Sequence, residues 1–212
     1  FTGSEGHTFQ ESLEDACEAI DAAEQLHCPL IVLHPGGRAG HTLSHARRLI
    51  CLAMKELAPI AESAGVMLAL KPAKDEASFL TTLIESLDVV NGSGSTNVGL
   101  AIDLWSFSEE LLSLENKMPV IERMKVVSVA DRICNVSLGH ERLPPGTGDL
   151  PLSHLLYLLL ESGYSGDIEF DPIGETVAEM GYEELLASVR RYVDQLQSDI
   201  CLLYTSPSPR DP

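Results

Sequence analysis

The stretch Leu30-Ile31-Val32-Leu33-His34-Pro35-Gly36-Gly37 is an unbroken apolar run closed by a histidine and a proline-glycine turn. A run without polar alternation predicts a strand covered on both faces, the condition of strands in parallel α/β sheets. Working outward, residues 12 to 26 carry apolar positions at helical spacing (Leu13, Ala16, Cys17, Ile20, Ala23), with Ser12 and Asp15 as a capping-box start. On the other side a helix is predicted from Leu43 to Ala64, stopped by Gly65. The alternation then repeats. Strands are predicted at Val66 to Leu70, Val98 to Asp103, Lys125 to Val129 and Ile168 to Asp171. Helices are predicted at Ala77 to Val90, Ser108 to Glu115, Leu152 to Glu161 and Glu175 to Asp199.

Parallel strands need helical crossovers, so five apolar strands alternating with helices define a parallel α/β sheet. Strand starts near 30, 66, 98, 125 and 168 are spaced close to the roughly 31 residues per unit of an eightfold barrel. A doubly wound nucleotide-binding sheet would carry a glycine fingerprint after its first strand; none is present, so no nucleotide cofactor is expected. The fold class predicted is a partial (β/α)8 barrel of five to six βα units.

Composition narrows the function. With 14 basic and 32 acidic side chains in 212 residues, the net charge is −18, which repels phosphate backbones and anionic lipid heads. No run of 18 apolar residues exists to span a bilayer. Nucleic acid and membrane are therefore not expected partners. Five cysteines (17, 28, 51, 134 and 201), without metal-binding spacing, suggest reduced thiols and a cytoplasmic protein. The final string, CLLYTSPSPRDP, shows no periodicity and resembles the translation of a sequencing adapter. Residues 201–212 are expected to be a non-native or disordered tail that does not continue the preceding helix.

The polar residues gather in one place: His34, Lys71, Asp103, Ser128 and Asp171 each fall at or near the C-terminal end of a strand, the rim where barrel active sites are built. Here the chain resembles the sugar phosphate isomerase/epimerase family of xylose isomerase-like TIM barrels. The matching stretches include LIVLHPGGRAGHT (30–42), VMLALKP (66–72), VGLAIDLWSF (98–107), ERLPPGTGDLPL (141–152) and GYSGDIEFDPIGE (163–175). The resemblance covers about residues 1 to 197 and implies that Phe1-Thr2-Gly3 is the exit of the third strand. The domain, residues 1–200, would then lack the first two strands.

The resemblance implies a divalent metal (Mn, Mg or Zn) held at positions that here are Lys71, Asp103, Ser128 and Asp171. Asp103 and Asp171 are the remaining metal candidates, while an ammonium in that shell opposes a cation. Lys71 is therefore expected to stand where the metal would be, pairing with Asp103 and Asp171. It would polarise a substrate carbonyl or form a Schiff base; a solvated Lys71 outside the mouth is the alternative. Lys71, Asp171 and His34 are the catalytic candidates, with His34 a general base, a substrate hydrogen-bonder or a structural histidine. Arg142, Glu169, Asp131 and Trp105 are the substrate-binding candidates. Ser106 stands where the family has a further histidine. The implied ligand is a small sugar, cyclitol or sugar phosphate, and the implied reaction is proton transfer next to a carbonyl. A non-catalytic sugar-binding barrel is the competing reading; a nuclease, suggested by distant barrel relatives, conflicts with the acidic charge.

Overall fold

The computed structural model of the protein describes residues 1–3, 6–133 and 141–205, with side chains described through residue 199. Strands β1 (Leu30–Leu33), β2 (Met67–Leu70), β3 (Val98–Asp103), β4 (Met124–Val129) and β5 (Asp167–Phe170) form one sheet in the order β1-β2-β3-β4-β5. Every pairing is parallel. Sequential order with helical crossovers is the geometry of a half-barrel, as the apolar runs predict. Helices α1 (Phe9–Gln25), α2 (Leu43–Ser63), α3 (Leu83–Gly92), α4 (Leu104–Ser113), α5 (Met118–Ile121), α6 (Leu152–Glu161), α7 (Glu175–Met180) and α8 (Tyr182–Thr205) complete the chain.

Strand side chains alternate between the two faces of the sheet. Leu68, Leu70, Leu100, Ile102, Val127 and Val129 point into the large core shared with α2, α3, α4 and α6. Burial of each such side chain stabilises the fold by about 1.5–3 kcal/mol. The opposite, inner face carries the small cluster Ala69, Ala101 and Val126, flanked by Leu30 and Val32 of β1. The register slips between Leu100 and Ala101, so that Leu100 faces Met124 while Ala101 faces Val126. Lys125 is the extra residue of this bulge, and a Cβ at Gly99 would lie 2.4 Å from Lys125 Cγ. Glycine in a strand interior commonly answers such a close approach.

Helix boundaries depart from the sequence pattern where a polar group captures the backbone. α1 starts at Phe9, not near Ser12, because Thr8 and Glu11 form the capping box. α3 begins at Leu83 rather than Ala77. Asp75 holds the amides of Ala77 and Ser78 in a turn, Thr82 caps the helix, and Glu110 accepts from the Leu83 amide at 2.6 Å. α4 begins directly after β3, four residues before the predicted Ser108, because Asp103 is itself the N-cap. The predicted helix 175–199 is two helices broken at Gly181 (φ 81°). α8 runs on to Thr205, so residues 201–205 continue the helix, contrary to the expectation that the tail would not. Residues 206–212 and Cys134 lie outside the described residues.

Candidate active site at the strand ends

Asp103 closes β3 and turns its carboxylate back onto its own helix start, where Oδ1 accepts from the Trp105 amide at 3.1 Å and Oδ2 from the Ser106 hydroxyl at 2.9 Å. The same two oxygens accept from Arg142 Nη2 at 2.8 Å and Nη1 at 2.9 Å, a bidentate fork. Arg142 Nη2 also lies 2.7 Å from both Asp171 oxygens, and Nε donates to the Asp171 carbonyl at 3.2 Å. One guanidinium thus ties the exits of β3 and β5. The side chains are little exposed: 9% for Asp103, 17% for Arg142 and 27% for Asp171.

The backbone places Arg142 as firmly as its charge does. Leu143 exchanges two 2.8 Å hydrogen bonds with Asp131, and Arg142 exchanges bonds of 2.9 and 2.8 Å with Ile173. The strip Glu141–Leu143 is therefore stitched to the loops leaving both β4 and β5. Trp105 donates from Nε1 to the Glu141 carbonyl at 3.0 Å, and the Arg142 guanidinium stands 5.6 Å from its ring centroid. The Glu141 carboxylate accepts from the Thr176 amide and hydroxyl.

Lys71 sits at the exit of β2 and donates to Ser128 Oγ at 3.1 Å, and Ser128 in turn donates to Glu169 Oε2 at 3.2 Å. Neighbouring strand ends thus carry an ammonium–hydroxyl–carboxylate chain across the inner face. The expectation that Lys71 pairs with both aspartates is corrected: Arg142 takes those two carboxylates, because its planar fork reaches them together. Lys71 still acts on Asp171 through its charge. His34 ends β1 beside this group. Partial burial, and secondarily the Lys71 charge, push its imidazole below the ordinary value, favouring the neutral ring.

Burial opposes the Arg142 charge, but the hydrogen bonds and charges of Asp103 and Asp171 outweigh it and raise its pKa. Burial pushes the Asp171 carboxyl up. Arg142 pulls it down and Asp103 pushes it up again, with a net upward shift. Both partners of the pair move upward, so its cation is more firmly held than this anion.

Asp131 is 1% exposed and faces loop backbone: its oxygens accept from the amides of Arg132 (2.9 Å), Gly146 (3.0 Å) and Leu150 (3.1 Å). The structure therefore brings together Lys71, Asp103, Arg142, Glu169 and Asp171, sets His34 and Trp105 at their margin, and gives Asp131 to the loop beneath. Glu141 was not singled out by sequence; its value lies in contacts made across 35 residues, which local pattern does not signal. Among the described residues no group of three or more His, Cys, Asp or Glu side chains converges as a metal ion would need. No described helix is long and apolar enough to cross a membrane.

The comparisons agree with this architecture. Residues 1–192 match the family model of xylose isomerase-like TIM barrels, and the chain belongs to that family. Inosose isomerase of Halalkalibacterium halodurans is 22% identical over 187 residues, 86% of this chain. The chain spans 66% of that relative's length, just under two thirds. The IolI protein, solved with a bound zinc atom, superposes with a TM-score of 0.73 at 20% identity, covering 93% of this chain and 71% of its own. D-psicose 3-epimerase from Clostridium cellulolyticum H10, solved with D-tagatose, gives 0.72 at 17% identity, covering 89% and 70%.

Proposed function

We propose that the protein moves a proton next to the carbonyl of a small sugar or cyclitol, as an isomerase or epimerase. The observation carrying this reading is the meeting of Lys71, Glu169, Asp171 and Arg142 at one strand-end mouth in a family whose relatives include an inosose isomerase. Removing a proton from carbon beside a carbonyl shifts the C–H electron pair toward the carbonyl oxygen. The Lys71 ammonium is the electrophile that receives that oxygen. Neutral His34 takes the proton, and Asp171, with its raised pKa, is the second group able to carry one. Return of the proton to the other face gives an epimer, and its return to the neighbouring carbon gives an isomer. Glu169 accepts from a ligand hydroxyl, while Arg142, Trp105 and Asp131 act on the ligand through what they fix: the two aspartates, the Glu141–Leu143 strip and the loop after β4. A phosphate on the sugar would meet Lys71, and the cytoplasm is the compartment consistent with five cysteines of no metal-binding spacing.

The test is deuterium uptake from heavy water at the carbon beside the carbonyl of inosose or D-tagatose, followed by proton NMR. The expected result is uptake by the wild type and a fall of about 10²-fold or more in Lys71→Met. Undiminished uptake in Lys71→Met overturns the role of Lys71. Saturable binding with no uptake by the wild type favours the non-catalytic sugar-binding barrel, a reading supported by the engagement of both Asp103 and Asp171 with Arg142.

A further inference from the structure

We infer that the Arg142 guanidinium is a built-in replacement for a divalent ion, so that this mouth organises its carboxylates without one. A divalent metal requires carboxylates with lone pairs to give and tolerates no competing cation in its shell. Here both carboxylates at the exits of β3 and β5 face one guanidinium, at 2.7–2.9 Å, and the exit of β2 supplies an ammonium. The exit of β4 supplies a hydroxyl, Ser128, already engaged by that ammonium. This donor set does not fit a divalent ion.

Geometry separates this arrangement from a chance ion pair. A side chain that had fallen into an empty metal site would be held by its tip alone. Arg142 is held at both ends: its amide and carbonyl pair with Ile173, its neighbour Leu143 pairs with Asp131, and its guanidinium stands at Trp105. Trp105 is in turn tied to the Glu141 carbonyl, while the Glu141 side chain is locked by Thr176. The fork also meets the planar geometry of Asp103 with two parallel bonds, a match a spherical ion does not need.

The substitution has a consequence for Lys71. A metal polarises a substrate oxygen from the centre of its ligands, whereas Arg142 commits its fork to Asp103 and Asp171. A second cation at the strand ends is the Lys71 ammonium, which donates to the Ser128 hydroxyl and through it reaches Glu169. Arg142 is thus a positioning residue that fixes the two aspartates. The inference concerns binding at the mouth and holds whether or not the proposed proton transfer does.

Mn2+ binding by the full chain, read as depletion of the free-ion electron paramagnetic resonance signal, tests it. The wild type is expected to leave the signal unchanged, and its melting temperature to be the same in EDTA and in Mn2+. Lys71→Glu alone is expected to gain little, because Arg142 still covers Asp103 and Asp171. The double variant Lys71→Glu/Arg142→Met, its fold checked by circular dichroism, is expected to bind Mn2+ at least tenfold more tightly than the wild type. Stoichiometric Mn2+ binding by the wild type overturns the inference by itself, even if the double variant fails to fold. So does a folded double variant that binds no better than the wild type. Deuterium uptake unaffected by EDTA, alongside silent Mn2+ titrations, supports the inference; failure of uptake alone counts only against the proposed activity.

Discussion

Asp131→Ala should destabilise the chain by about 4 kcal/mol without touching the apolar core. The carboxylate is 1% exposed and accepts from three amides that span the loop between β4 and α6. Hydrogen bonds to a charged acceptor contribute about 1.5–3 kcal/mol, and a buried donor left unpaired costs about 1–3 kcal/mol. Leu150, 8% exposed, has its amide orphaned outright, whereas the exposed Gly146 and half-buried Arg132 can turn to water and lose about 1 kcal/mol each. For a chain of this length 4 kcal/mol corresponds to a fall in melting temperature of about 8–16 °C. Asp131→Asn separates charge from geometry. An amide oxygen placed at Oδ1 keeps the Arg132 and Leu150 bonds, and the amide nitrogen then faces the Gly146 N–H, so the loss should be nearer 2 kcal/mol. Urea unfolding followed by circular dichroism measures both, with an unchanged m-value showing that the effect lies in the folded state. An alanine variant within about 1 kcal/mol of the wild type, or alanine and asparagine variants of equal stability, would refute the anchoring argument.

Two further outcomes follow from the geometry. His34 has a folded pKa below its ordinary 6.5, so the unfolded chain takes the proton first. Its contribution is fully present above pH 6.5 and is lost as pH falls through the folded value; the wild-type minus His34→Asn stability difference should therefore decline on acidification below 6.5, and a flat difference rejects the burial of the ring. Gly99→Val should cost more than about 3 kcal/mol, because even its Cβ would lie 2.4 Å from Lys125 Cγ and 2.6 Å from the Arg123 carbonyl. Adding Lys125→Ala should recover only part of that loss, since the carbonyl stays; complete recovery would show that the backbone contact is relieved at no cost.

β1, β2 and β3 were legible as uninterrupted apolar runs, each followed or closed by a polar residue at the mouth, whereas β4 and β5 carry Lys125, Ser128, Asp167 and Glu169 and were legible from their apolar alternate positions and their place between helices. Helix starts were less legible. The Ser12 and Asp15 pair was read as the cap, yet Thr8 and Glu11 form it, and their glutamate three residues on reaches back to the Thr8 amide as a capping box requires. The start of α3 was hidden because it depends on Glu110, 27 residues away. In the site, sequence pattern brought Lys71, Asp103 and Asp171 to one rim but paired them wrongly. Arg142 reaches Asp103 across 39 residues and Asp171 across 29, distances at which spacing carries no information. Gly99 alone in an apolar strand was a signal of close backbone approach, and it marks the bulge.

That bulge sets a depth. The aliphatic stem of Lys125 folds over Gly99 at the lower end of the inner face, and the Ala69, Ala101 and Val126 cluster lies next above it. From that cluster to the Asp103 level is two residues, about 7 Å at the rise of a strand. On this face of the sheet an aliphatic layer therefore lies directly beneath an ionic one. Under the proposed function, a sugar or cyclitol that reaches Lys71 and Glu169 has no more than this depth below it before it meets aliphatic side chains, so it engages the sheet by one polar end.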